Sequence, residues 1–273
     1  MVTGLLLAAT AVFVALARAG WPGTPSRCLR DFVCYCERPT LEGLARQPWN
    51  AWSSLACAPF AVQVAADAAG VRTDRSLDEP RRRAGAEVGL LFAIAIAIEG
   101  MGSLYFHGSL TNWGAVLDAV GIAAIGGVVL LAALLRGGVV GIRGVRWGLP
   151  AVVAGALVYR LFLVPVMAPL FLVLVLAIVL AERRAQRAEA GRRAEAPRSR
   201  GADRWPARGP WFARGMWLFG IGAAVLVLSA LPGFPLCGGG LVQGHALWHL
   251  LAAGASWACW RHARWALVPE HGS

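Results

Sequence analysis

EVGLLFAIAIAIEGMGSLYFH, residues 87–107, decides what kind of protein this is. It is apolar along almost its whole length, follows the arginine-rich RTDRSLDEPRRR at 72–83, and ends on a histidine. A helix crossing hydrocarbon needs about 20 mostly apolar residues, because lipid offers no partner for exposed backbone groups. Comparable runs recur at roughly 2–18, 50–69, 113–135, 146–160, 161–181, 211–231 and 241–260. The runs at 146–160 and 161–181 are divided near Arg160 to Pro165, where a charge followed by Pro165 and Pro169 disfavours one straight helix. Only 15% of the 273 residues are charged and 58% are hydrophobic, against the roughly 25% charged of soluble domains. The reading is an all-α, polytopic membrane protein: a seven-transmembrane helix bundle with an additional N-terminal hydrophobic helix or signal segment.

The net charge of +11 invites a nucleic-acid partner, but the arginines cluster between apolar runs instead of along one groove-sized patch, so none is expected. Arg72, Arg75, Arg81, Arg82 and Arg83 lie in one connection, Arg136, Arg143 and Arg146 in another, nine more in 182–210, and Arg261 and Arg264 near the C-terminus. These four regions fall on one side of the layout, while the opposite connections, 108–112 and 232–240, contain no arginine. The positive-inside rule puts the arginine-rich side in the cytoplasm. The exception is the stretch 18–49, whose five arginines are partly offset by Asp31, Glu37 and Glu42.

Domain organisation follows. Residues 1–19 form either an uncleaved transmembrane helix or a signal segment: Ala17-Arg18-Ala19 has the small-x-small form of a cleavage site, yet MVTG lacks a positive n-region. Residues 20–49 form an extracytoplasmic lead-in, 50–181 the first five core helices, 182–210 an Arg/Ala/Glu-rich cytoplasmic loop of low complexity, 211–262 the last two helices, and 263–273 a cytoplasmic tail. With no lysine anywhere, no retinal Schiff base can form. No internal repeat suggests a transporter.

GHALWHLLAAG, residues 244–254, spends two imidazoles on one apolar helix. Positions four apart share a helix face, so His245 and His249 can reach one ion. A second ionisable cluster lies at the same membrane level in GMGSLYFHGSLTNWGAVLD, residues 100–118: His107 ends its helix, Ser103 is one turn inward, and Asp118 enters the next helix after a short turn. Three neutral imidazoles with one open position is the ligand set of a catalytic zinc, although imidazole also suits other divalent ions. A carboxylate at Asp118 can accept a proton from water, and the Ser103 hydroxyl can donate to a developing oxyanion. Ionisable groups are costly in a membrane, so their clustering there points to function. Glu99, one further turn inward, either orients a ligand or is a protonated helix contact. Asp67 is expected to snorkel or pair with an arginine, and His262 and His271 to be solvated. Cys57 and Cys259 read as apolar packing residues.

These motifs resemble the alkaline ceramidase family, within the larger superfamily of seven-transmembrane hydrolases that includes adiponectin- and progestin-type receptors. GMGSLYFHGSLTNWGAVLD is similar to its GxGSxxFH signature followed by an aspartate, HALWHLL to its HAWWHxL element, and CERPTLEGLARQPWNAWSSL, residues 36–55, to its lead into the first core helix. Three separated motifs occur in order, spanning Cys36 to about Trp260. The resemblance implies zinc on His107, His245 and His249, with Ser103 and Asp118 assisting attack on the amide of a ceramide-like lipid taken from the bilayer, giving a long-chain base and a fatty acid. It also implies a disulfide between Cys36 and Cys237; Cys28 and Cys34 are a second candidate pair. Departures exist. The acidic segment that binds calcium in eukaryotic members reads CYCERP here, and the glutamate before WN is replaced in Gln47-Pro48-Trp49-Asn50, so a calcium site is expected to be weak or absent. The rival readings are hydrolysis of an ester or another N-acyl lipid, and a non-catalytic heptahelical receptor in which zinc fixes the fold.

Overall fold

A computed structural model describes residues 2–30, 35, 37–163, 168–195, 210–229, 235–237 and 243–268. Among them the chain is helical, and the only β-type pairing is a single bridge between Pro25 and Thr111. In chain order the α-helices are α1 (Val2–Arg18), α2 (Arg27–Arg30), α3 (Pro48–Ser54), α4 (Cys57–Thr73), α5 (Glu79–Ser109), α6 (Asn112–Arg136), α7 (Ile142–Val158), α8 (Ala168–Glu195), α9 (Trp211–Leu228) and α10 (Gly244–Leu267). Pro48–Thr73, Glu79–Ser109, Asn112–Arg136, Ile142–Phe162 and Trp211–Leu228 are long and apolar enough to cross a membrane. The protein is membrane-embedded. Its outward faces carry Phe162, Trp217 and Leu176, all well exposed; such a surface is a liability in water and the ordinary state in hydrocarbon.

Helix α5 is the hub, with α1, α3, α4, α6 and α10 packed on it. It starts where Asp78 accepts a hydrogen bond from the Arg81 backbone N–H at 2.9 Å, with Pro80 in the first turn. It stops at Leu110, whose left-handed φ of 49° is strained for a side-chain-bearing residue and is held by complete burial of that side chain. Thr111 then caps α6, its hydroxyl accepting from Gly114 N–H at 3.2 Å. This two-residue turn makes α5 and α6 antiparallel neighbours. They approach closely because Gly102 and Gly121 lack side chains: a Cβ on Gly121 would stand 2.6 Å from the Glu99 Cα, and one on Gly102 would strike the Leu117 carbonyl. Below this contact Val88, Phe92 and Ile96 pack with Val64, Val128 and Trp260 to form the main core.

Helix α1 also packs on α5. Phe13 is buried against Trp21 and Tyr105, and the Tyr105 hydroxyl donates to the Ala9 carbonyl at 2.7 Å. The expected break between the spans at 146–160 and 161–181 coincides with a π-helical turn, Tyr159–Leu163, and then with residues outside the described set.

Three expectations differ at the arginine-rich end. Helix α8 runs to Glu195, into the segment read as loop, where Glu189 and Arg192 hydrogen-bond to Arg136 of α6. His262 is buried rather than solvated: its Nε2 lies 2.8 Å from Arg136 Nη1 and 3.0 Å from Glu182 Oε1, while Arg136 pairs with Glu182 at 2.7 Å and with Glu189 at 2.9 Å. Asp67 meets no arginine among the described residues and accepts from the Trp260 indole N–H at 3.1 Å. His271 lies outside the described residues.

The Arg136–Glu182 pair ties α6 to α8 with both side chains about 3% exposed. Arg136→Met should therefore leave a buried carboxylate without its main partner and lower stability by about 3–5 kcal/mol. Thermal unfolding of the detergent-solubilised protein measures this, and an unchanged midpoint would show that the pair is no structural tie.

Candidate metal centre

The centre begins with backbone hydrogen bonds. A helix leaves its last carbonyls unpaired, and at the end of α5 they are met by the lead-in: Gln47 N–H donates to the His107 carbonyl at 2.9 Å and Arg46 N–H to the Gly108 carbonyl at 2.8 Å. This brings Gln47, itself fully buried, against the imidazole of the residue whose carbonyl it caps. Gln47 Oε1 lies 2.7 Å from His107 Nδ1, and its Nε2 donates to the Glu37 carbonyl at 2.7 Å. With the amide nitrogen committed to Glu37, the amide oxygen faces His107 and must accept from Nδ1–H. The lone pair of His107 is thereby on Nε2.

The same logic holds at His249. Its Nδ1 lies 2.8 Å from Ser53 Oγ and 3.2 Å from Ser54 Oγ. Both hydroxyls also lie within reach of the Asn50 carbonyl, at 3.0 and 2.9 Å, and with their single protons directed there both accept from the imidazole. His249 also carries its lone pair on Nε2. One short helix, α3, thus orients two rings that arrive from α5 and α10. It is anchored in turn by Glu37, whose two carboxylate oxygens accept from Trp49 N–H and Asn50 N–H, each at 2.8 Å. Burial raises the Glu37 pKa above the usual carboxylate range, and these two N–H groups counter the rise.

The inward nitrogens converge. His245 Nε2 is 3.0 Å from His107 Nε2, the ring centroids of the three histidines are 4.6 to 5.1 Å apart, and the prospective ligand atoms all lie within 4.8 Å of one another. At metal–nitrogen distances of about 2.0–2.1 Å, two ligands of one ion stand up to about 4 Å apart, so small ring rotations suffice to bring all three onto one cation. The donor set fits a metal: three buried imidazoles, two with their lone pairs fixed inward, and the third, His245, with an Nδ1 that has no hydrogen-bond partner among the described residues. His107, His245 and His249 can therefore hold a metal ion.

Ser103 and Asp118 stand beside this group. Ser103 Oγ is 3.1 Å from His249 Nε2, and its hydroxyl also reaches Asp118. Glu99 is one turn away and accepts from Ser256 Oγ of α10 at 3.3 Å. Tyr35 covers the centre from the lead-in, its ring 4.2 Å from His245 and 5.4 Å from His107. Burial first, then the nearby negative charge of Asp118, pushes the Tyr35 phenol up to about 12, against an opposing effect from Arg160. The phenol stays protonated through the physiological range and is a hydrogen-bond donor.

The histidines, Ser103 and Asp118 were marked by residue type and spacing. Gln47 stands out in the sequence only as the replacement of a calcium-binding glutamate, and Ser53, Ser54 and Tyr35 not at all, since an amide, two hydroxyls and a phenol carry no metal signature. The available sign is position: Gln47, Ser53 and Ser54 lie in the WN-containing lead at 36–55, and Tyr35 immediately before it. Cys57 and Cys259 are free thiols, as packing residues would be, whereas Cys28 and Cys237 each take part in a disulfide. Cys34 and Cys36 lie outside the described residues, and the expected Cys36–Cys237 pairing with them. In comparisons with known proteins, no family model matches the chain and no curated protein matches it.

Because Gln47 fixes the tautomer of His107, Gln47→Leu should weaken metal binding about 10–100-fold, the usual effect of removing a partner that orients a ligand. Titration of the metal-stripped protein with zinc reads this directly; equal affinity in the variant would deny Gln47 that role.

Proposed function

We propose that the chain is a zinc-dependent amidohydrolase of the bilayer, cleaving the amide of a ceramide-like lipid to a long-chain base and a fatty acid. The observation that carries this reading is Ser103 seated between the inward nitrogen of His249 and the carboxylate of Asp118. A cation that only stabilised the bundle would need neither group. The three-motif resemblance to alkaline ceramidases supplies the substrate class, and a two-chain lipid suits a site framed by apolar helices.

His107, His245 and His249 would hold a divalent ion, which would supply Lewis acidity and make water a stronger acid at the site. Asp118 then receives the proton of the attacking water and returns it to the departing nitrogen, so that water adds across the C–N bond and the amine leaves neutral. Ser103 donates a hydrogen bond to the carbonyl oxygen as charge develops on it. Tyr35, protonated and stacked on His245, screens the centre from bulk water. In this reading the bundle has seven core spans, the segments 161–181 and 241–260 completing the five already described. The arginine-rich connections face the cytoplasm, and the histidine centre lies toward the opposite leaflet.

Two substitutions test it. His249→Ala should lose bound metal and lipid hydrolysis together, whereas Asp118→Asn should keep the metal and lose turnover by a factor of about 10²–10⁴. Metal content and release of fatty acid from labelled lipids give both readouts. Full activity in Asp118→Asn would remove its assigned role, and release from ester substrates alone would replace the amide with an ester.

A further inference from the structure

Between the metal centre and the arginine-rich end, an apolar cleft opens between α6, α8, α9 and α10. Helix α8 packs along α6 and α9 along α10, while α8 and α9 meet at Phe171 against Phe219, ring centroids 5.5 Å apart. The lining runs along α10 from Trp248 to Cys259, roughly 16 Å at 1.5 Å per residue. Ile125, Leu174 and Phe219 typify its walls, which are apolar except at one place. There Glu99 of α5 and Ser256 of α10 meet, the hydroxyl donating to Glu99 Oε2 at 3.3 Å.

This pair is incompletely matched. The single Ser256 proton is shared with the Ala252 carbonyl, which is nearer at 2.9 Å. Among the described residues Glu99 has no cation beside it, and the charged group that acts on it is another carboxylate, Asp118. A carboxyl group facing an apolar cavity within a membrane is costly unless something polar completes its hydrogen bonds. Its height is informative. Glu99 is four residues from Ser103, roughly 6 Å along the helix axis, and Ser256 is seven from His249, roughly 10 Å.

We infer that this cavity binds a hydrocarbon chain and that Glu99 with Ser256 recognises a hydroxyl carried on that chain, several carbons from its polar end. Glu99 accepts a hydrogen bond from the ligand hydroxyl, and the apolar walls enclose the methylenes on either side. The pair is a specificity-determining element: an unsubstituted chain fills the same volume but leaves the carboxyl unmatched. This rests on the lipid-hydrolase reading for where the head of the chain sits, although binding itself requires no turnover.

The test uses the purified full-length chain in nanodiscs. Labelled octadecanoic acid is displaced by unlabelled octadecanoic acid and by its monohydroxy isomers substituted at successive positions from carbon 4 to carbon 12. One position, or two adjacent ones, should bind at least tenfold tighter than the unsubstituted acid. Glu99→Leu should abolish that preference while keeping affinity for octadecanoic acid, and Glu99→Gln should retain part of it. Equal binding of all isomers by the wild type, or an intact preference in Glu99→Leu, overturns the inference. Should Glu99→Leu fail to fold, Ser256→Ala decides: a reduced positional preference supports the site and an unchanged one rejects it. Loss of lipid hydrolysis in every preparation, with positional preference intact, would count against the hydrolase reading alone.

Discussion

Two backbone hydrogen bonds at the end of α5, from Gln47 and Arg46 to the carbonyls of His107 and Gly108, hold the functional end of the molecule together. They answer a general requirement, since carbonyls at a helix terminus need partners and, near hydrocarbon, water is not a dependable one. Meeting that requirement with a chain segment instead of solvent has a local consequence. The segment that caps the helix also delivers Gln47 to the ring of His107 and starts α3 at Pro48, so that Ser53 and Ser54 reach His249 one and a half turns later. Helix capping and ligand orientation are one piece of architecture.

The polarity of the described core is segregated by depth. At one end lie the three imidazoles, with Ser103 and Asp118; at the other lies the Arg136–Glu182–His262 cluster joining α6, α8 and α10. Between them the core of α4, α5, α6 and α10 is close-packed around Phe92, Ile96 and Trp260, with glycine at Gly89 making room for the indole. The lone interhelical polar contacts in that middle zone, Trp260 to Asp67 and Ser256 to Glu99, pair acids with neutral donors. An acid that receives one neutral donor in such a setting keeps acceptor capacity, and Glu99 turns its own toward the apolar cleft.

The centre itself is built for inward lone pairs. Two unrelated devices, a side-chain amide on His107 and paired hydroxyls on His249, produce the same tautomer, each because its own hydrogen is already used elsewhere. Tyr35 packs over the third ring without bonding its Nδ1. The arrangement offers three imidazoles to one cation while the hydroxyl of Ser103 approaches from the side of Asp118.

Apolar run lengths located four of the five long spans to within four residues, because crossing hydrocarbon imposes a length that composition alone reveals; α5 starts eight residues before its apolar run, at Glu79. Residue type and helical spacing likewise marked His245 and His249 as one face, and His107, Ser103 and Asp118 as their counterparts. Sequence could not reveal that His262 and Glu182 are buried together or that α8 runs on to Glu195. Flanking arginine-rich composition looks solvated until a partner such as Arg136 is brought to it by packing. Nor could it disclose the orienting roles of Gln47, Ser53 and Ser54, whose side chains are common everywhere and acquire meaning only from the ring they face. Patterning along one chain reports local periodicity and solvent preference. Which hydrogen-bond donor meets which acceptor across helices is decided by the approach of segments far apart in that chain, and only the folded bundle sets it.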